Sequence, residues 1–129
     1  MQGKIKMTTQ KKKILIVCND EKNLARLSSI LAERDLYIQK AQSKEKAIEF
    51  AETDNPDLII YDFDISGFDG GDMASAIREK RPDRKIPIVF ITSLVSEAEQ
   101  KCRMIDGPIC FLSKPLDEKK LLEEVDSLL

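Results

Sequence analysis

A carboxylate, a hydroxyl and an ammonium each follow a separate apolar run in this chain of 129 residues. Asp62 ends Pro56-Asp57-Leu58-Ile59-Ile60-Tyr61-Asp62, just before a turn-rich stretch, Ser66-Gly67-Phe68-Asp69-Gly70. Thr92 ends the run from Ile86, and Ser93 follows it. Lys114, followed by Pro115, comes after Ile109-Cys110-Phe111-Leu112. A fourth run, Lys13 to Cys18, leads into Asn19 and Asp20. Gathered in one place, these groups suit phosphoryl transfer. The carboxylate can attack phosphorus, the lysine is a point charge for phosphate oxygens, and the hydroxyl can hydrogen-bond the attached group.

Such groups converge only if the apolar runs are parallel strands. Lys13–Cys18, Leu36–Ala41, Leu58–Asp62, Ile86–Thr92 and Ile109–Leu112 read as strands, because they are short, apolar and often β-branched. Helical spacing follows each. Asp20 is placed to cap a helix to about Glu33 with Leu24, Leu27, Ile30 and Leu31 on one face. Ser43 caps a second, which turns Ala47, Ile48 and Ala51 inward, and Asp72 a third carrying Met73, Ala76 and Ile77. Ser96 with Glu99 forms a capping box for a fourth. Asp117 caps the last, bearing Leu121, Leu122, Val125, Leu128 and Leu129. Five strands alternating with five helices imply an α/β fold, a parallel sheet with helices on both faces. The first, third and fourth strands are apolar throughout and belong in the centre; the mixed second belongs at an edge. The C-terminal edge of such a sheet is where ligands bind.

Composition narrows the function. The chain has no histidine, which removes histidine-based general-base catalysis, histidine triads and most zinc sites. It cannot itself be a phosphohistidine donor. Cys18, Cys102 and Cys110 are odd in number and fit no metal or redox spacing, so a reducing cytoplasm and free thiols are expected. No apolar run approaches the roughly 18 residues of a membrane span, and the first residues lack the apolar core of a secretory signal. Met1 to Lys13 holds five lysines and no acid, leaving the rest of the chain at −7 against a total of −2. Residues 1–11 read as a basic, flexible tail and residues 12–129 as one acidic domain with no direct nucleic-acid binding.

The chain resembles the response-regulator receiver domains of two-component signalling from Lys12 to about Leu129. PDLIIYDFDISGFDG, PIVFITS and GPICFLSKP carry the resemblance. It implies a doubly wound, flavodoxin-like sheet of order 2-1-3-4-5. It also implies that Asp62 is the phosphoacceptor, Lys114 the phosphate contact, Thr92 the switch hydroxyl and Phe111 the aromatic switch. The backbone carbonyl of Asp64 would serve a Mg²⁺ ion, and Lys114–Pro115 would be a cis bond. The implied role is signalling, not enzymatic. Implied partners are a histidine kinase or phosphotransfer protein, and a downstream protein or fused output domain. A homodimer through the last two helices is a mode the family allows, although Lys101, Arg103, Lys119 and Lys120 there are also ordinary surface charges.

One departure stands out. Receivers usually end the first strand with two adjacent acids that hold Mg²⁺; here those positions are Cys18 and Asn19, with Asp20 one place later. Mg²⁺ is a hard ion that takes oxygen ligands. At 4 Å each lost carboxylate removes roughly 1–4 kcal/mol of attraction at dielectrics of 80 to 20. The expectation is a weakened metal site of Asp62, Asn19 and the Asp64 carbonyl, with Asp20 as a candidate substitute. The alternative is a pseudo-receiver that docks proteins without being phosphorylated. A small flavodoxin-like enzyme or cofactor binder is a third reading, but no glycine-rich first turn supports it.

Overall fold

The computed structural model describes residues 11–62 and 70–129. Five strands, β1 (Lys12–Cys18), β2 (Leu36–Ala41), β3 (Leu58–Asp62), β4 (Ile88–Thr92) and β5 (Ile109–Ser113), form one sheet in the order β2-β1-β3-β4-β5. All four pairings are parallel. The sheet is covered by α1 (Glu21–Leu31), α2 (Lys44–Thr53), α3 (Gly70–Lys80), α4 (Val95–Lys101) and α5 (Glu118–Leu128). β2, with its mixed burial, takes an edge as its composition requires. Among the described residues no helix is long and apolar enough to cross a membrane.

Side-chain alternation splits the core in two. Leu15 and Val17 of β1, Ile59 and Tyr61 of β3, and Ile88 and Phe90 of β4 pack with residues of α2, α3 and α4. Ile14, Ile16, Cys18, Leu58, Ile60, Val89 and Ile91 face the other way, onto Leu24, Leu27, Ile30 and Leu31 of α1 and Leu121 and Val125 of α5. Burial on both faces is why β1, β3 and β4 read as continuous apolar runs.

Three caps are as the sequence places them. Asp20, Ser43 and Asp117 accept hydrogen bonds from the backbone N–H groups of Lys22, Lys46 and Lys120. Two are not. Helix α3 already begins at Gly70, so Asp72 lies in its first turn, where it still faces the positive end of the helix dipole. Helix α4 begins at Val95 after Leu94, with no side-chain cap, so Ser96 is inside the helix and no capping box forms. Instead Thr92 Oγ1 accepts from the Leu94 N–H at 2.9 Å, which turns the chain into the helix one step earlier. β4 starts at Ile88, not Ile86, because Pro87 has no N–H for the ladder. Its carbonyl still accepts from Ile59 N at 2.9 Å. Helix α1 stops at Leu31, short of Glu33, and the last turn tightens through Glu33 N to Ile30 O.

Candidate functional site

Asp62 closes β3 and is only 4 % exposed. Alternation puts it on the side of Leu58 and Ile60, toward α1 and α5. Lys114 leaves β5 and brings its Nζ to 2.7 Å from Asp62 Oδ1. Among the described residues, Oδ1 has no hydrogen-bond donor besides this ammonium. The contact is an ion pair, whose Coulomb attraction at this distance depends little on alignment. A backbone bond holds the lysine there: its N–H donates to Thr92 O at 3.1 Å, tying the loop to the end of β4. The Lys114–Pro115 peptide is cis, as the resemblance implies.

A cavity of about 240 Å³ opens over this pair. Asp62 and Ile91 form its floor at the strand ends. Lys114, Pro115 and Leu116 wall one side, and Asn23, Arg26 and Leu27 of α1 contribute another. Thr92 is buried at the end of β4 but is not part of this lining; it shares the face of Ile88 and Phe90. A hydroxyl has one donor and two acceptor lone pairs. Accepting from Leu94 N therefore leaves the Thr92 O–H to donate elsewhere. Phe111 lies half-buried in β5 and stacks on Phe90, centroids 5.4 Å apart and planes 15° from parallel. Phe90 in turn meets Tyr61 edge-on at 5.5 Å.

The end of β1 is built differently. Cys18 lies opposite Asp62 in the β1–β3 ladder and is wholly buried. Its Sγ lies 3.4 Å from Asp20 O as a donor. Burial above all, with the nearby charges of Asp62 and Asp20, pushes the thiol pKa up, against the opposing effects of the Asp20 backbone contact and Lys114. Burial thus favours the neutral thiol, a poor partner for a hard cation. Asp20 commits Oδ1 to the Lys22 N–H at 2.9 Å as the cap of α1, and Asn19 is exposed. Asp64 lies outside the described residues. Among the described residues no group of three or more His, Cys, Asp or Glu side chains is placed to hold a metal. Among the described residues, the carboxylates and neutral oxygens that Mg²⁺ prefers are not gathered around Asp62: the end of β1 offers a thiol and an exposed amide in place of two acids.

The family model of the response regulator receiver domain matches residues 14–126. The chain belongs to the receiver family. This receiver is 28 % identical to the heme response regulator HssR of Staphylococcus epidermidis, over 89 % of its own length and 50 % of that protein's. It thus spans about half the length of that curated relative. Its fold matches the chemotaxis protein CheY4 of Vibrio cholerae with a TM-score of 0.81 at 23 % identity, covering 93 % of this chain and 100 % of the other. It also matches the receiver domain of the sensor histidine kinase PA1611 of Pseudomonas aeruginosa, with a TM-score of 0.77 at 20 % identity over 92 % and 98 % of the two chains. That structure has a magnesium ion coordinated in its active-site cleft. At these identities the two structures speak to the fold.

The receiver site thus pairs Asp62 with Lys114 and leaves Thr92 and Phe111 on the opposite face of the sheet. Sequence reasoning missed Asn23 and Arg26. A signal for them exists: three residues apart, they flank the buried stripe of Leu24 and Leu27 on one helix. Nothing local says that this flank overlooks the end of β3.

Proposed function

We propose that Asp62 accepts a phosphoryl group from the phosphohistidine of a partner kinase or phosphotransfer protein. The observation that carries this reading is a buried carboxylate 2.7 Å from an ammonium, under a cavity at the C-terminal edge of the sheet. An Asp62 carboxylate oxygen attacks phosphorus. The new O–P bond forms as the N–P bond breaks, and the departing imidazole nitrogen keeps the electron pair. The chain has no histidine, so the donor comes from another protein or domain. Lys114 neutralises charge on the transferred oxygens. The Thr92 hydroxyl then turns its hydrogen to the acyl phosphate, and Phe111 moves into the space this opens. The surface of α4, β5 and α5 changes as a two-state population shift driven by these new contacts. A downstream protein or fused output domain reads that surface. The receiver acts as a cytoplasmic switch, not as an enzyme, and holds Mg²⁺ weakly.

The Cys18–Asn19 pair motivates a second reading, a docking module that is never phosphorylated. One experiment separates the two. Intact mass is recorded after incubation with acetyl phosphate, with and without Mg²⁺, for wild type and Asp62→Asn. A single phosphoryl adduct in wild type that is absent from the variant supports phosphoacceptance. No adduct under either condition transfers the case to the docking module, whose partner would bind wild type and Asp62→Asn equally.

A further inference from the structure

Phosphorylation replaces a carboxylate of charge −1 by an acyl phosphate of about −2. Lys114 offsets one of these charges. The end of β1, with a buried thiol and an amide in place of two acids, is poorly equipped to recruit a divalent cation for the rest. A second fixed positive charge nevertheless stands on the same cavity. Arg26 lines it from α1, one turn beyond Asn23, and a guanidinium is permanently charged and fits phosphate oxygens in bidentate fashion. Its present partner holds it loosely. Arg26 Nη2 is 3.5 Å from Glu118 Oε2, and the two side chains are 49 % and 55 % exposed. Ion pairs this open contribute little and exchange easily.

We propose that Arg26 leaves Glu118 to grip the phosphoryl oxygens on Asp62 and, with Lys114, supplies the charge a divalent cation would otherwise bring, so that this receiver is phosphorylated without metal. The inference rests on the reading of Asp62 as phosphoacceptor and names a further residue that touches the transferred group. It also carries a structural consequence. Glu118 sits in the first turn of α5 and loses its partner, while Arg34 of the α1–β2 loop still holds the far end of α5 through two bonds of 2.8 Å to Asp126. The N-terminal turn of α5 is freed while its C-terminal end stays anchored.

The test measures the rate of adduct formation with acetyl phosphate in EDTA and in Mg²⁺, on the full chain, for wild type, Arg26→Ala, Arg26→Lys and Glu118→Gln. Wild type should label in EDTA at nearly its rate in Mg²⁺. Arg26→Ala should slow labelling in EDTA about ten-fold or more, the scale of a lost hydrogen bond to a charged group. Arg26→Lys should fall between them, since an ammonium restores charge but not the fork. Glu118→Gln should speed labelling about two- to five-fold by releasing the guanidinium. Thermal melting should be nearly unchanged in all three variants, which separates this role from a structural one. A wild-type adduct that Arg26→Ala forms equally fast, or that forms only with Mg²⁺, overturns the inference while leaving Asp62 as phosphoacceptor. No wild-type adduct in either condition overturns both.

Discussion

Asp57 precedes β3 and Asp62 closes it, on one unbroken run of chain. At the N-terminal edge of the sheet, Asp57 has both oxygens occupied. Oδ2 accepts from the Lys13 N–H at 2.8 Å and Oδ1 from Arg84 Nη2 at 2.9 Å. Its own N–H donates to Lys13 O at 2.7 Å. Burial by itself would raise the Asp57 pKa, but the Lys13 N–H and the Arg84 guanidinium outweigh it and hold the carboxyl below its ordinary value. This aspartate is a clasp between β1, β3 and the loop before β4. At the opposite edge, Asp62 is more deeply buried and, among the described residues, is paired with the Lys114 ammonium under an open cavity. The same side chain is structural where both oxygens accept directed hydrogen bonds and suited to attack where it lines a cavity.

The two aspartates differ most in what a cation could do beside them. Cys18→Asp with Asn19→Asp places two carboxylates beside Asp62, and each adds roughly 1–4 kcal/mol of attraction for a cation. Mg²⁺ affinity, followed by calorimetry, should rise about thirty-fold or more, and labelling should become Mg²⁺-dependent. Unchanged affinity would mean that the end of β1 is not what separates this site from a metal-loaded one. Asn19→Asp alone is the milder variant, because Asn19 is exposed whereas Cys18 is packed in the core.

Removing the ammonium comes next in size. Lys114→Ala should slow acetyl phosphate labelling by about ten- to a hundred-fold, the scale of taking a charged partner away from a buried acceptor. It should also lower stability in urea, because the Asp62 charge is left buried without its partner. Labelling at the wild-type rate would show that the 2.7 Å pair is only structural.

Asp57→Asn gives the smallest effect and tests the clasp. It should cost about 1–2 kcal/mol at neutral pH, on the scale of hydrogen bonds to a charged group, and leave labelling of Asp62 intact. The sign of the pH dependence follows from a folded pKa below the ordinary 3.8. The contribution of Asp57 is fully present above that value and fades as pH falls through the folded value. The gap in melting temperature between wild type and Asp57→Asn should therefore close in acid. A constant gap from pH 7 down to acid unfolding would remove the carboxylate charge from the explanation.

Much of the scaffold was legible because its signals are local. Continuous apolar runs marked β1, β3 and β4 as central, and Asp20, Ser43 and Asp117 marked three helix starts. The two misplaced caps share a cause. Asp72 and Ser96 are good cap residues by type, but α3 and α4 start where Met73, Ala74, Ile77 and Ala98 must reach the core, and packing overrides local preference. At the site, the type and strand position of Asp62, Thr92 and Lys114 were legible. The diversion of Asp20 to capping was half-legible, because the cap signal and the metal-site signal competed for one residue.

By itself, the sequence determined the class of fold, the strand at the edge, and which residues reach the C-terminal edge. A parallel sheet aligns strand ends whatever the details of packing. It also determined that two acids are absent beside Asp62. Only the tertiary structure decided that Lys114 closes to 2.7 Å, that the Cys18 thiol turns to its own loop, and that Arg26 shares a cavity with the phosphoacceptor candidate. Those facts depend on register and helix placement between elements far apart in the chain. A shift of one residue in either would move a charge by several ångströms, and no local pattern records that distance.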